Sequence, residues 1–315
     1  MWVLPWAEIK YPDELKEIKN SYPDDIIYSP SFFKKPLPIK GDRFKMGKYT
    51  DEWGCIRHSL QDGIAGEVEE PLLSDWSQVR KVRVPEERLS IDIEKINKFC
   101  ADTDKFVLPE VYQRPFERLQ FLRKTENLFI DLLEQPKEFR ILLDKIHQFY
   151  IEEIKLWCKT NVNGIFIMDD WGGQNSLLIN PLIWHKLFKP LYREYIQIAH
   201  KNNKFVFIHS DDYILPIIGN LIKIGLDAIN SQLFCMNIDE IGKKFKGKIT
   251  FWGEIDRQHL LPYGSIIDIE LAIKRVYTNL YNNGGIIAQC EFGPGAKPEN
   301  VLQVFKTWDT FCKHK

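Results

Sequence analysis

Short apolar segments that end in polar residues recur along the second half of the chain. They occupy residues 164–170, 204–212, 249–254 and 285–291, and acids, a histidine and a cysteine collect at their ends. A strand that is apolar along its whole length is buried on both faces, as parallel strands are. Such a strand reaches solvent only at its ends, so the polar residues at these ends predict the rim of an active site.

From about residue 105 the pattern predicts alternating strands and helices. Strands are expected at 106–111, 164–169, 204–209, 226–230, 249–254 and 286–290, and helices at 115–133, 136–160, 181–202, 214–224, 238–245, 266–281 and 298–312. Units of this kind require parallel strands with right-handed crossovers. An open doubly wound sheet and a closed barrel are the alternatives, and polar residues at nearly every strand end favour a (β/α)8 TIM barrel.

The first hundred residues differ from the rest in their turn signals. Frequent prolines (Pro5, Pro12, Pro23, Pro30, Pro36 and Pro38) and many aromatic residues predict an irregular N-terminal elaboration over residues 1–104. A hairpin is expected near residues 49–56, and two further barrel strands must come from this part of the chain. We therefore expect one barrel domain over residues 1–315, with regular βα units at 105–315.

Composition narrows the class of protein. The 315 residues include 43 basic and 44 acidic side chains, so no charge excess points to nucleic acid or to a membrane surface. We find neither an uncharged apolar run of about 20 residues nor a basic segment followed by an apolar stretch at the start. The six cysteines are scattered without a C-x-x-C pair. These features predict a cytoplasmic protein with reduced thiols and a small-molecule substrate.

Three residues at strand ends are candidate metal ligands. His209 and Cys290 each end a predicted strand, and imidazole with thiolate is a good ligand set for zinc or another divalent metal. Asp211, two residues beyond His209, can present a carboxylate to the same ion. The alternatives are a hydrogen-bonded rim histidine, a buried thiol, and an Asp211 or Asp212 that caps the next helix.

Acids at the other strand ends are candidate catalytic groups. Asp169 and Asp170 are adjacent, and a pair of carboxyl groups can supply a general acid or base. Neighbouring strand residues point to opposite sides, so at most one faces the mouth and the other anchors a loop or a helix N-terminus. Glu254, which closes an otherwise apolar run, is the third candidate.

Aromatic and polar residues that follow the strand ends are candidates for substrate binding, because aromatic walls with a few polar groups form organic ligand pockets. The alternative for each tryptophan is a place in the core. The candidates are Trp171, Gln174, Gln232, Trp252, Asp256 and Glu291.

An ordered set of segments resembles the uroporphyrinogen decarboxylase-like superfamily, which includes cobalamin-linked methyltransferases. The segments are Asp169-Asp170-Trp171-Gly172, Pro190-Leu191-Tyr192, Phe207-Ile208-His209-Ser210, Asp227-Ala228-Ile229-Asn230, Phe251-Trp252-Gly253-Glu254-Ile255-Asp256, Leu261-Pro262-Tyr263-Gly264 and Gly284-Gly285-Ile286-Ile287. The resemblance covers about residues 51–311. It implies a (β/α)8 barrel with its site at the C-terminal mouth, in a monomer or homodimer.

In the methyltransferase branch, a His-x-Cys after one strand and a later Cys bind zinc, which activates an acceptor for methyl transfer from a methyl-corrinoid. His209 and Cys290 match two of these positions, but Asp211 stands where the branch has cysteine. A carboxylate makes the metal a harder Lewis acid and weakens zinc binding. The leading hypothesis is a metal-assisted methyltransferase, with the methyl-corrinoid as a substrate or on a partner corrinoid protein, and Glu254, Asp169 or Asp170 as fourth ligand or proton carrier.

Two alternatives remain. One is cofactor-free decarboxylation of the uroporphyrinogen decarboxylase type, but that branch uses an N-terminal arginine cluster, and Arg43 and Arg57 do not recreate it. Basic residues at the mouth of the barrel would favour decarboxylation. The other is a non-catalytic relative that binds a corrinoid, a tetrapyrrole or a partner protein.

Overall fold

The computed structural model describes residues 1–313. Its strands, in chain order, are β1 (Trp2–Val3), β2 (Ile26–Ser29), β3 (Gly47–Thr50), β4 (Ile56–Ser59), β5 (Glu67–Val68), β6 (Phe106–Pro109), β7 (Gly164–Met168), β8 (Phe205–Ser210), β9 (Ala228–Ser231), β10 (Thr250–Trp252), β11 (Ile286–Ile287) and β12 (Glu291–Phe292).

The α-helices, in the same order, are α1 (Pro5–Lys10), α2 (Pro12–Ser21), α3 (Ile93–Ala101), α4 (Pro115–Arg123), α5 (Thr125–Glu134), α6 (Lys137–Trp157), α7 (Pro181–Leu187), α8 (Lys189–Lys201), α9 (Leu215–Lys223), α10 (Ile238–Phe245), α11 (Leu260–Tyr263), α12 (Ile266–Leu280) and α13 (Pro298–Lys313). Short 3-10 helices lie at Trp76–Lys81, Glu86–Leu89 and Leu233–Cys235. Within residues 1–313, no helix combines the length and the apolar character that crossing a membrane requires.

The described chain forms two compact units. The first contains Met1–Asp25, Trp171–Leu178 and the chain from Ile208 onward, and the second contains Ile26–Asp170 and Ile179–Phe207. The strand β8 therefore begins in the second unit and ends in the first. Each unit is described separately below.

Parallel strands form the centre of the first unit. The end of β8 lies beside β9, β9 beside β10, and β10 beside β11. The pairs Phe251↔Ile229 and Phe251↔Ile286 set the register, and β1 pairs in parallel with β12. This register of the parallel strands aligns the carboxyl ends of β8, β9 and β10.

Ser265 begins α12 with a capping box, which satisfies N–H groups that a helix start leaves unpaired.

The second unit combines a parallel pair with an antiparallel hairpin. β2 pairs in parallel with β6, and β3, β4 and β5 form an antiparallel sheet in the order of the chain. The long helix α6 covers the unit with one apolar face. Its buried side chains recur at helical spacing and include the six residues expected from the sequence, Phe139, Leu142, Leu143, Ile146, Phe149 and Tyr150.

The structure differs from the sequence-based expectations where prolines and short strands are involved. The helix expected at 181–202 is two helices, because Pro190 lacks the N–H that would continue α7. The helix expected at 115–133 breaks at Lys124, whose φ is 66°. Pro5 and Pro12 are among the prolines from which irregular structure is expected, but they lie in the first turns of the helices α1 and α2. The strands that could not be placed are β1 and β2, which pair in parallel within their own units.

Candidate active site

Polar side chains lie at the carboxyl ends of β8, β9 and β10 in the first unit. His209 is the penultimate residue of β8, Asn230 that of β9, and Glu254 follows β10 by two residues. Neighbouring parallel strands end at the same edge of a sheet, and in α/β folds ligands bind at that edge. This edge is therefore the candidate active site.

Asn230 fixes the orientation and the tautomer of His209. Asn230 Nδ2 donates a hydrogen bond to the carbonyl oxygen of Trp252 (2.5 Å), so its amide oxygen faces His209 Nδ1 at 2.6 Å. A carboxamide oxygen only accepts, so His209 Nδ1 carries the proton. The other ring nitrogen, Nε2, lies 3.4 Å from Asp211 Oδ1. The buried His209 ring thus presents Nε2 to a carboxylate.

Arg257 joins the acidic residues of this edge. Its Nη2 donates to Asp211 Oδ2 (2.6 Å) and its Nη1 donates to Glu291 Oε2 (2.9 Å). Nη1 also lies 3.7 Å from Glu254 Oε1. Burial raises the pKa of Asp211, but the His209 ring and the Arg257 guanidinium outweigh burial, and this pKa lies below its ordinary value. Asp211 is therefore a carboxylate held in an ion pair.

Glu254 is a buried acid of a different kind. It is 2% exposed, and among the described residues neither of its carboxyl oxygens has a hydrogen-bond partner. Burial raises the pKa of Glu254 well above its ordinary value, and although Arg257 opposes this, the nearby Glu291 and Asp211 reinforce it. Such surroundings favour the protonated form of the carboxyl group, which can donate its proton.

A cavity of about 180 Å³ lies beside these residues. Its lining includes Gln174, Gln232, Glu254, Asp256, Arg257 and His259. Gln174 also donates to Asp212 Oδ1 (2.9 Å), which connects Asp212 to the wall of the cavity. The residue at the N-cap position of α9 is Ile214. Carboxyl groups outnumber guanidinium groups here, since Glu254 and Asp256 line the cavity and Asp211 and Glu291 contact Arg257. The cavity therefore favours a neutral or cationic polar ligand.

Gly172 allows the segment Trp171–Leu178 to pass close to Asp211. A Cβ atom at Gly172 would lie 2.3 Å from the Asp211 carbonyl oxygen and 2.6 Å from Tyr213 N, which are impossible contacts. The Trp171 N–H donates to Ser210 Oγ (2.9 Å), which fixes the same segment. The glycine thus helps to place Gln174 at the cavity.

Several predicted residues are placed away from the cavity. Trp171 is buried, and the ring of Trp252 packs edge-on against the ring of Trp2, 5.7 Å away. Cys290 is fully buried, and burial raises the pKa of its thiol to about 12. Among the described residues, no group of three or more His, Cys, Asp and Glu ligand atoms within 4.8 Å of one another includes Cys290.

Asp169 and Asp170 directly follow β7 in the second unit. Asp169 accepts hydrogen bonds from the N–H groups of Phe116 (2.9 Å) and Glu117 (2.8 Å) in the first turn of α4, and from Tyr192 Oη (2.5 Å). Burial raises the pKa of Asp169 to about 7, while these hydrogen bonds act to lower it. Asp169 therefore anchors a helix N-terminus, which is the role expected from the sequence for one of the two residues Asp169 and Asp170.

Buried arginines of the second unit are also paired with acids. Arg88 makes a bidentate contact with Glu153 (2.7 and 2.9 Å) and contacts Glu52 at 3.2 Å. Arg118 donates to Asp51 at 2.9 Å and lies 3.7 Å from Glu52. Because the guanidinium groups of Arg88 and Arg118 already have carboxylate partners, an anionic ligand would have to compete with these acids for them.

The predicted zinc ligands fit the geometry only in part. The His209 Nδ1–H bond to Asn230 is the support that a metal-bound histidine normally has, and the 3.4 Å between Nε2 and Asp211 Oδ1 suits two ligands of one ion. Cys290 does not join them, however, and Arg257 occupies the other oxygen of Asp211. The set His209, Asp211 and Cys290 therefore does not fit zinc in this structure.

Two important residues were missed in the sequence. Arg257 directly follows the predicted Asp256, and only the acids of that segment were singled out. Asn230 closes the apolar strand expected at 226–230, so the rule that selected Glu254 could also have selected it. Its role beside His209 depends on contacts between strands, which no local pattern reveals.

The family model for uroporphyrinogen decarboxylase matches residues 55–311. A curated uroporphyrinogen decarboxylase of Wigglesworthia glossinidia brevipalpis is 26% identical over 248 residues, which are 73% of this chain and 66% of that protein. The chain thus spans just under two thirds of the length of that relative.

Among solved structures, a methyltransferase from Methanosarcina mazei is similar with a TM-score of 0.65 and 15% sequence identity, over 82% of this chain and 76% of that one. At this identity the likeness bears on the fold alone. Together with the family match, it confirms the predicted fold class, an α/β protein of the (β/α)8 TIM-barrel type.

Proposed function

Because the chain belongs to the uroporphyrinogen decarboxylase family, we propose that it is an enzyme that transfers a methyl group between a corrinoid and a small neutral or cationic substrate. The observation that carries this proposal is the acidic cavity, in which the buried Glu254, whose pKa is raised, lies beside Arg257 among further carboxyl groups. The corrinoid is either free or bound to a partner protein, and it supplies or accepts the methyl group.

Glu254 is the proposed acid and base. A neutral ether or amine that loses its methyl group must gain a proton at the heteroatom, and the demethylated product must lose that proton when it is methylated; a quaternary ammonium group loses a methyl group without gaining a proton. Glu254 is buried at the cavity wall and has no competing hydrogen bond among the described residues, so its carboxyl group can carry that proton in either direction. Asp256 and Gln232 line the same cavity and supply acceptors for a polar or cationic substrate.

The similarity to the Wigglesworthia protein, a uroporphyrinogen decarboxylase by name, makes cofactor-free decarboxylation the second candidate. That reaction needs basic groups to hold a substrate with several carboxylates. Arg257 is present at the cavity, but its guanidinium already contacts Asp211, Glu254 and Glu291. A second negatively charged partner would have to displace one of these acids, so the geometry favours methyl transfer.

The test is a methyl-transfer assay with cob(I)alamin and a panel of methylated quaternary ammonium compounds, tertiary amines and ethers. We expect methylcobalamin to form with at least one compound, and Glu254→Gln to lower the rate with a tertiary amine or an ether about 100-fold or more, since it removes the proton but keeps the shape. Glu240→Gln on the exposed surface of α10 is the matched control and should retain the wild-type rate. No transfer with any compound, together with loss of carbon dioxide from uroporphyrinogen, would replace methyl transfer by the second candidate.

A further inference from the structure

The charged groups at the ends of β8 and β10 and in β12 form one cluster, here called the Arg257 cluster. It consists of Arg257 with Asp211, Glu291 and Glu254, at 2.6, 2.9 and 3.7 Å from its guanidinium nitrogens. His209 Nε2 adjoins it at 3.4 Å from Asp211. Carboxyl groups and an imidazole are also the groups that normally surround a divalent metal ion in proteins. The surroundings of the Arg257 guanidinium therefore resemble those of a metal ion.

We infer that Arg257 takes the place of a divalent metal ion in this cluster, so that the site works without zinc. Asp211 and Glu291 each direct one carboxylate oxygen to a different guanidinium nitrogen. Charge-assisted hydrogen bonds of this kind are strong and directional. The guanidinium therefore satisfies the acids that a metal ion would otherwise bind.

The ligand count points in the same direction. A catalytic zinc ion normally has three protein ligands, and a structural one has four. His209 and Asp211 are suitably spaced, but no group of three such ligand atoms among the described residues includes the Cys290 thiol. Within the Arg257 cluster the other carboxyl groups are those of Glu291 and Glu254, and both contact Arg257.

Electrostatic repulsion separates the two alternatives. A divalent ion bound to Asp211 would lie within a few ångströms of Arg257, in a partly buried region where like charges repel strongly. Arg257 and the metal ion are therefore mutually exclusive occupants. Since an arginine side chain keeps its charge at all physiological pH values, its cation cannot be removed by a chelator.

The test is the metal content of protein purified without chelator, followed by titration with zinc and with cobalt(II), whose absorbance reports coordination. We expect wild type to retain less than about one tenth of an ion per chain, and Arg257→Gln to bind about one ion per chain through the released carboxylates and His209. Adding His209→Ala to Arg257→Gln should abolish that binding. Arg257→Lys, which keeps the positive charge, is the matched control and should remain without metal.

Stoichiometric zinc in wild type overturns the inference, and this measurement needs no variant. A folded Arg257→Gln protein that still binds no ion also overturns it, because Arg257 would then not be what excludes the metal. Metal content is independent of the reaction catalysed, so this result and the methyl-transfer assay can fail separately.

Discussion

Replacement of Glu52 by glutamine should destabilise the protein at neutral pH and remove part of its sensitivity to acid. Glu52 lies 3.2 Å from Arg88 and 3.7 Å from Arg118 in the second unit, and its side chain is 18% exposed. Burial raises the pKa of Glu52, but Arg118 and Arg88 outweigh burial and lower this pKa from 4.5 to about 2. Glutamine keeps the size of the side chain and removes the charge.

The magnitude follows from the two pKa values. A fall from 4.5 to about 2 corresponds to about 3 kcal/mol of folding free energy, at about 1.4 kcal/mol for each pKa unit. Between these values the unfolded chain binds more protons at Glu52 than the folded one. The stabilisation is therefore complete above pH 4.5 and is lost as the pH falls towards 2.

Urea unfolding followed by circular dichroism measures this effect. At pH 7 we expect Glu52→Gln to unfold at a clearly lower urea concentration than wild type, and the difference should shrink below pH 4.5. Glu69→Gln, at an exposed ion pair with Lys48, is the control and should unfold like wild type. Equal stability of Glu52→Gln and wild type at pH 7, or a difference that does not change with pH, would refute the reasoning.

Three further changes test the arrangement of the strand ends. Asp169→Asn leaves one acceptor oxygen for three donors, and urea titration should show a loss of about 1–2 kcal/mol. Asn230→Leu leaves the buried His209 N–H without its acceptor and should cost about 1–3 kcal/mol in the same measurement. Gly172→Ala places a Cβ 2.3 Å from the Asp211 carbonyl oxygen, so thermal unfolding should occur at a lower temperature; an unchanged melting temperature would contradict that contact.

The sequence predicted the elements whose signals are local. The helix expected at 238–245 has the same bounds in the structure, β7 differs from expectation by one residue at one end, and β8 differs by one residue at each end. Apolar periodicity and capping residues lie within a few positions of each other, so these features can be read from one segment. In contrast, β1 has two residues, and only its pairing with β12 makes it a strand.

The acidic residues of the candidate site were predicted from the sequence, but the ion pairs that connect them were not. A polar residue after an apolar strand marks the edge of a sheet, which is how His209, Asp211 and Glu254 were found. The partner that organises them, Arg257, is 46 residues from Asp211 in the chain. Long-range ion pairs depend on strand order and register, so the role of Arg257 could not be derived from spacing.

The ring of Trp2 lies 4.6 Å from the ring of His209, centre to centre. An excited indole transfers an electron readily to a protonated imidazole, so such a pair forms a fluorophore with its own quencher. Subtracting the emission of Trp2→Phe from that of wild type would isolate this one signal from the other tryptophans. The protein thus carries an optical reporter of whatever happens at His209, which needs no label and no knowledge of the substrate.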